Sequence, residues 1–236
     1  MTKNISALQN ILVSLFEIQR AAWFAEEGKW KPSPQALKTY KLISEKWEPI
    51  AFAKIKYLFK QTELVLNFSK WGQVLYLPPL KKDANFVPVL SLSCKLNETQ
   101  SIAKFRVMLV CLDNEEKPYG IGFRMETPES MNQEGEIPAN GEIHDFYHAQ
   151  LIQRFGQRKL DNKLQIHCPS WIPDSQPSFP LPADCPVTLL LCLIVTLYGR
   201  KCYNQFVANY LNDYRKSDIE PYKKKLKPWI NWNSIQ

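Results

Sequence analysis

The strongest constraint on the fold is a nearly uninterrupted apolar run between Asp184 and Gly199, in which Thr188 and Thr196 are the only polar side chains. Asp184 can cap a helix start, Pro186 suits a first helical turn, and Gly199 tolerates the left-handed turn that ends a helix. The run therefore predicts a helix that is apolar on every side. Such a helix is buried on every side at the centre of a fold.

A membrane span is the alternative interpretation of this run. As a helix, residues 185–198 would cover roughly 21 Å, whereas the hydrocarbon layer of a membrane is about 30 Å thick. We therefore expect a buried core helix and no stable membrane insertion. The N-terminal residues are amphipathic, and no small-residue cleavage site follows them, which favours the cytoplasm. The six cysteines form no C-x-x-C pair, so we expect free thiols that pack as small apolar side chains.

The composition narrows the possible classes of protein. Hydrophobic residues make up 45% of the 236 positions, which is typical of a folded globular protein and excludes a disordered one. The eight glycines form neither a G-x-G-x-x-G nor a G-x-x-x-x-G-K pattern, so the commonest nucleotide-binding loops are excluded.

The period of the apolar residues changes near Glu63, from a helical period to that of a strand. Before that residue the pattern predicts one helix from Ile5 to about Gly28, a second from Ser33 to Pro49, and a third over residues 50–59. After it, alternation predicts strands at 63–68, 74–77, 87–96, 103–112, 119–127 and 164–167. Residues 101–127 read as a hairpin of an antiparallel sheet. Residues 142–155 fit a strand and a helix equally well.

These elements predict an α+β fold in which an antiparallel sheet is flanked by N-terminal helices and a fully buried C-terminal helix. We expect one domain over residues 1–236. Its proline-rich segment should form a semi-rigid strap that Trp171, Ile172, Phe179 and Leu181 hold against the surface. The predicted parts are a helical layer (1–62), a mainly antiparallel sheet (63–167), the strap (168–184), the buried helix with a following helix (185–214) and a basic aromatic tail (215–236).

All three histidines fall between residues 144 and 167, and this clustering is a hint of a catalytic site. His144 and His148 would share a face of either a helix or a strand, and Glu126 ends the preceding strand. Imidazole and carboxylate ligands suit a divalent metal, so the three residues are weak candidates for a hydrolase or nuclease site. H-D-F-Y-H lacks the H-E-x-x-H spacing, however. Hydrogen-bonded histidines in a half-buried strand explain the same residues, and we predict no metal and no cofactor.

A second set of candidate catalytic residues comprises Asp113, Glu115 and Lys117, which could position a metal and a water molecule. They fall where the predicted hairpin must turn. Turn chemistry therefore accounts for them without catalysis.

The net charge of +7 is unevenly distributed. Lysines and arginines minus acidic residues give 11 − 6 for residues 1–80, 7 − 11 for residues 81–150 and 12 − 6 for residues 151–236. In the C-terminal tail, cations alternate with aromatic rings, a mixture that suits phosphates and unpaired bases. The candidate contact residues are Arg215, Lys216, Lys223, Lys224, Lys225, Lys227, Trp229 and Trp232. A tail docked on the domain and a membrane-interface anchor are the alternatives.

These observations favour a non-enzymatic interaction subunit of an intracellular multi-protein complex. Its basic, aromatic-rich ends would contact a protein partner or nucleic acid. The alternative is the metal-dependent hydrolase or nuclease built on His144, His148 and Glu126. Bound metal would distinguish the two.

Overall fold

A computed structural model describes the chain over the following residues: 7–17, 32–45, 47–49, 64–67, 73–79, 85–96, 101–127, 147–152, 166, 179–210, 221–222 and 224–226. The longer helices in these ranges are α1 (residues 7–17), α2 (Pro34–Ser44) and α3 (Pro186–Tyr210), and residues 221–222 and 224–226 are also helical. The strands are β1 (Glu48–Pro49), β2 (Leu64–Asn67), β3 (Gln73–Tyr76), β4 (Val87–Leu96), β5 (Ser101–Leu112), β6 (Pro118–Glu126), β7 (His148–Leu151) and β8 (Phe179–Pro180). The chain thus combines helices with a sheet, as the α+β prediction requires.

The sheet is mostly antiparallel. From β4 through β5, β6, β7 and β8, each strand pairs antiparallel with the next, and β2 and β3 pair antiparallel with different parts of β4. The predicted hairpin of residues 101–127 is confirmed as β5 and β6. One pairing departs from the prediction, because the two-residue β1 runs parallel to β3 and makes the sheet mixed.

The second predicted helix begins as expected and ends early. The Ser33 hydroxyl accepts a hydrogen bond from the Ala36 N–H at 3.1 Å, and Pro34 occupies the first turn. The helix ends at Ser44, whereas the sequence pattern extended it to Pro49. Proline disfavours helical geometry in the residue before it, and the chain is already extended in β1.

The apolar helix is confirmed, and Gly199 at φ 73° separates its first part from the residues that follow. Residues 187–193 are completely buried, and Ile194 is nearly so. The last turn before Gly199 differs from the prediction, since Thr196 is exposed and Tyr198 is half-buried. The half-buried Tyr198 hydroxyl donates a hydrogen bond to the Pro78 carbonyl at 2.7 Å.

The start of α3 is capped by a different residue from the one predicted. The Thr188 hydroxyl oxygen accepts hydrogen bonds from the backbone N–H groups of Asp184 (3.0 Å) and Cys185 (3.1 Å). The same hydroxyl lies 3.0 Å from the Asp184 carboxylate, to which it can donate. The side chain inside the first turn therefore satisfies the free backbone donors that precede the helix.

Two apolar clusters use opposite faces of the sheet, because successive residues of a strand point to opposite sides. The first core cluster joins residues of α1, α3 and the sheet face that carries Leu75, Leu90 and Phe105. The second core cluster joins residues of α2, the buried Trp47 and the face that carries Tyr76 and Met108. Both faces of the central strands are therefore apolar over much of their length.

Several other predictions can be compared with the described residues. Residues 148–151 form a strand, so the strand interpretation holds for these residues, whereas residues 142–146 and 153–155 lie outside the described ranges. Phe179 was expected to hold the strap down but is 53% exposed, whereas Leu181 packs against the first core cluster. The helix predicted at 50–59 and the loop at 128–141 lie outside the described residues, as do most of the strap and of the strand at 164–167. No helix in the described ranges is both long enough and apolar enough to cross a membrane.

Candidate functional site

Two rows of polar side chains cross β5, β6 and β7 on one face of the sheet. Residues directly opposite each other on neighbouring strands share a face, so the register fixes the rows. The first row is Lys104, Glu126 and His148, and the second is Arg106, Arg124 and Gln150. We call the four charged groups Lys104, Arg106, Arg124 and Glu126 the cationic patch.

The same face changes from charged to apolar along β5. Met108 and Val110 point to the same side as Lys104 and Arg106, because even-numbered separations along a strand preserve the face. Both belong to the second core cluster, together with residues of α2. The cationic patch is therefore the polar continuation of a core face and not an isolated surface feature.

Glu126 is the buried centre of the patch. Its side chain is 6% exposed, and its Oε1 lies 2.8 Å from Lys104 Nζ and 3.2 Å from Arg124 Nε. Both contacts are ion pairs. Two cations thus compensate one buried carboxylate, which would otherwise be costly to remove from water.

Arg124 is held from a second side by Gln150. The Arg124 Nε donates to the Gln150 Oε1 at 2.7 Å, and its Nη2 donates to the same oxygen. Gln150 is buried, so its amide cannot readily move away. The guanidinium of Arg124 therefore has a fixed position and orientation.

Arg106 differs from the other two cations in its surroundings. Across the strands it lies between Ser91 on β4 and Arg124 on β6. Among the described residues, its guanidinium makes no hydrogen bond and no ion pair within 4 Å. Burial lowers the pKa of Arg106, the charge of Glu126 opposes that effect, and the charge of Arg124 lowers the pKa further. Like charges directly opposite each other on adjacent strands destabilise a sheet.

The structure brings together two of the three candidate catalytic residues. Glu126 and His148 are cross-strand neighbours, and His148 is completely buried. His144 lies outside the described residues. Within the described part of the chain, no group of three or more His, Cys, Asp or Glu side chains could hold a metal ion.

The second set of candidate catalytic residues forms the turn of the β5–β6 hairpin. Asp113 Oδ1 accepts hydrogen bonds from the backbone N–H groups of Glu115 (2.9 Å) and Lys117 (2.8 Å). Glu116 has a φ of 60°, which is the left-handed position of a three-residue hairpin loop. Lys117 forms an ion pair with Glu115. The Asp113 carboxylate therefore holds the turn together, as turn chemistry predicts.

Part of the C-terminal tail is described and lies against the domain. Tyr222 and Leu226 are buried in the first core cluster, whereas Lys224 and Lys225 are exposed. Lys225 forms an ion pair with Asp184 near the start of α3. The other tail candidates lie outside the described residues: Arg215, Lys216, Lys223, Lys227, Trp229 and Trp232.

The environment of Asp184 shifts its titration. Partial burial alone would raise the pKa of Asp184. Hydrogen bonds from Lys225 and Thr188, together with the charge of Lys225, outweigh that effect and hold the pKa below its ordinary value. The carboxylate is therefore stabilised in its charged form.

The buried cysteines have the properties expected of apolar core residues. Burial raises the pKa of Cys94 to about 12. Burial also raises the pKa of Cys192 to about 12, and the nearby Cys185 and Asp184 add to the effect. Thiols with such pKa values are almost entirely protonated at neutral pH, so neither side chain is an activated nucleophile.

The cationic patch was not recognised in the sequence, although a signal for it was present. Lys104 and Arg106 alternate with apolar residues in the clearest predicted strand, which places both on one face. The turn at Asp113 then sets the hairpin register and aligns Arg124 with Arg106. Once the turn is assigned, counting residues back along both strands would have found the patch.

Comparison with known proteins gives no independent guide to this site. The chain matches no protein-family model, no curated protein and no solved structure.

Proposed function

We propose that the chain is a non-enzymatic interaction subunit of an intracellular multi-protein complex, and that its basic terminal surfaces contact nucleic acid or an acidic protein partner. The observation that carries this proposal is the anchoring of the C-terminal residues 221–222 and 224–226 against the domain. Tyr222 and Leu226 are buried there, and Lys224 and Lys225 remain exposed. Cations on an anchored segment lose less conformational entropy on binding than cations on a free chain.

The charge distribution supports the same surface. Residues 151–236 carry 12 basic and 6 acidic side chains, which gives this part of the chain an excess of six positive charges. Exposed lysines contact phosphates and carboxylates without sequence preference, and neighbouring aromatic rings can stack on bases. We propose that Trp229 and Trp232 supply those rings.

The proposed surface belongs to a single domain over residues 1–236. In this arrangement the N-terminal helices and α3 flank the sheet, with the two chain ends sharing one core. The first core cluster supports it, since residues of α1, of α3 and of the 221–226 segment are all members.

Charge reversal tests the proposed contact. We expect a variant with Lys223, Lys224 and Lys225 replaced by Glu to bind labelled single-stranded or duplex oligonucleotides, or an acidic peptide, more weakly. The slope of log K against the logarithm of the salt concentration should also become less negative, by about 0.7–0.9 for each phosphate that the variant no longer neutralises. Fluorescence anisotropy at two or more salt concentrations measures both effects. Thermal melting checks that the variant still folds without the ion pair between Lys225 and Asp184.

A matched control separates a local contact from the effect of total charge. Lys38, Lys41 and Lys117 are exposed and lie on α2 and the hairpin turn. Replacing these three by Glu changes the net charge by the same amount. Equally weakened binding in both variants, or unchanged binding of the tail variant at every salt concentration, would contradict the proposed surface.

The metal-dependent hydrolase or nuclease remains the second candidate, because Glu126 and His148 are direct cross-strand neighbours. A metal would have to compete with Lys104 and Arg124 for the carboxylate. Elemental analysis of the purified protein tests this alternative. A stoichiometric divalent metal that is absent from a Glu126→Gln variant would favour it over the interaction subunit.

A further inference from the structure

Among the described residues, the cationic patch carries a net positive charge on a partly buried surface. Lys104, Arg106 and Arg124 contribute three positive charges and Glu126 one negative charge, so that 3 − 1 leaves +2. The side chains of Lys104 and Arg124 are 39% and 36% exposed, which leaves the patch open to a ligand. Glu126 is 6% exposed and lies beneath them.

The donors of the patch are only partly used within the described residues. Arg124 directs Nε and one Nη2 hydrogen toward Gln150, and Lys104 contacts Glu126. Arg106 makes no hydrogen bond to any described residue, although it is partly buried beside a second guanidinium. Each guanidinium carries five N–H donors in a planar fork that matches oxyanions. The patch therefore combines two neighbouring guanidinium groups with donors that no described residue uses.

The spacing of the three cations suits one small oxyanion. Directly opposite residues of an antiparallel pair have Cβ atoms about 4.5–5.5 Å apart, and diagonal neighbours are about 7–8 Å apart. Arg106 and Arg124 are directly opposite, and Lys104 is diagonal to Arg124. Long side chains at these spacings can converge on a single tetrahedral group.

We propose that the cationic patch is a binding site for a phosphate monoester group, held by Arg106, Arg124 and Lys104. A phosphate monoester carries about −1.5 to −2 charges at neutral pH and three strong acceptor oxygens. A carboxylate or a phosphodiester carries a single negative charge and would leave the patch positive. Glu126 repels an anion that approaches it directly, so its role is to position Lys104 and Arg124. This site is separate from the C-terminal contact proposed above and does not depend on it.

Calorimetric titration of the full chain tests the proposal, with inorganic phosphate and phenyl phosphate as probes at constant ionic strength. We expect binding of one phosphate per chain, with an affinity that increases from pH 5.5 to 7.5 as the dianion forms. An Arg106→Met variant keeps most of the length of the side chain and lacks the fork. Its affinity should fall by about tenfold or more, because charge-assisted hydrogen bonds to the phosphate are removed.

Two further variants make the result specific. Arg200 is exposed and outside the patch, so Arg200→Met should bind phosphate as the unchanged chain does. Arg106→Lys retains the charge without the fork and should recover only part of the affinity. Thermal melting in the absence of phosphate tests whether Arg106 only stabilises the fold, since loss of such a residue would lower Tm. Arg106→Met should melt no lower than the unchanged chain, because it removes a partly buried cation: burial lowers the pKa of Arg106, and the attraction of Glu126 does not outweigh that effect.

Three outcomes would overturn the proposal: no phosphate binding at millimolar concentrations, equal binding by Arg106→Met, or acetate binding as tightly as phosphate. If phosphate binds, a phosphoserine peptide and a 5′-phosphorylated nucleotide identify the source of the monoester. The variant with Lys223, Lys224 and Lys225 replaced by Glu should still bind phosphate, and the Arg106→Met variant should still bind oligonucleotides. The failure of either proposal is therefore distinguishable from the failure of the other.

Discussion

Gly122 offers the sharpest test of the strand register that builds the cationic patch. A Cβ atom at Gly122 would lie 2.2 Å from the Val107 carbonyl oxygen and 2.6 Å from Met108 Sδ. It would also lie 3.1 Å from Met108 Cα. Since two of these three atoms are backbone atoms of β5, a side-chain rotation cannot remove the overlap. An alanine at this position must push β6 away from β5.

The size of the effect follows from the depth of the overlap. Overpacking in a tight interior costs about 1–3 kcal/mol, and the backbone collision places Gly122→Ala at the upper end. Replacing glycine also reduces the conformational entropy of the unfolded chain, which raises the free energy of unfolding by about 0.4–1 kcal/mol. We therefore expect a net loss of about 2–2.6 kcal/mol in the free energy of unfolding. For a chain of this size, that loss lowers Tm by roughly 4–10 °C.

Gly120 is the matched control on the same strand and the same face. A Cβ atom there would lie 3.0 Å from the Leu109 carbonyl oxygen, 3.1 Å from Ile166 Cγ2 and 3.3 Å from Met108 Cε. A shift of a few tenths of an ångström relieves these contacts, so Gly120→Ala should cost less than about 1 kcal/mol. Urea unfolding followed by tryptophan fluorescence measures both variants. If Gly122→Ala is as stable as Gly120→Ala, the β5–β6 pairing described above is wrong.

Two further predictions concern the buried middle of α3 and the residue Asp184 near its start. Leu191 is completely buried, so Leu191→Asp should prevent soluble expression by burying an unpaired charge, whereas Thr196→Asp on the exposed turn should remain soluble. A soluble Leu191→Asp protein with an unchanged circular dichroism spectrum would show that the core lies elsewhere. The lowered pKa of Asp184 means that its contribution to stability is fully present above the unfolded pKa of about 3.9 and is lost as the pH falls through the folded value. The Asp184→Asn variant should therefore be less stable at pH 7, by less than about 1 kcal/mol because the pair with Lys225 is half-exposed. The difference should shrink as the pH falls below about 3.9 and should disappear once the pH is below the folded pKa. A difference in urea midpoint that grows toward low pH would refute this assignment.

The parts of the fold that could be predicted are those in which one local pattern decides the structure. The strand patterns at 103–112 and 119–127, joined by the turn at Asp113, predict a hairpin, and Ser33 followed by Pro34 predicts a helix start. Local pattern does not decide which strands pair at a distance. Whether β2 and β3 both pair with β4, and whether β1 runs parallel to β3, depends on packing between residues far apart in the chain.

The candidate site was harder to predict than the fold for a related reason. The sequence offered His144, His148 and Glu126 because of residue type and proximity along the chain. Of these, the fold brings Glu126 and His148 together, but it also places Lys104 and Arg124 on the carboxylate. A search for catalytic residue types overlooks cations that lie on separate strands and meet only across the sheet.

The location of the patch also explains how the fold can tolerate it. A partly buried pair of like charges costs stability, and folded chains are stable by only about 5–15 kcal/mol. On the same sheet face, Met108 and Val110 are completely buried, and on α3 every residue from Val187 to Leu193 is completely buried. Burial of one such large apolar side chain contributes about 1.5–3 kcal/mol, so a few of them offset the repulsion between Arg106 and Arg124. The fold therefore tolerates the patch. A phosphate group that binds there reduces the repulsion between Arg106 and Arg124, which makes the binding free energy more favourable.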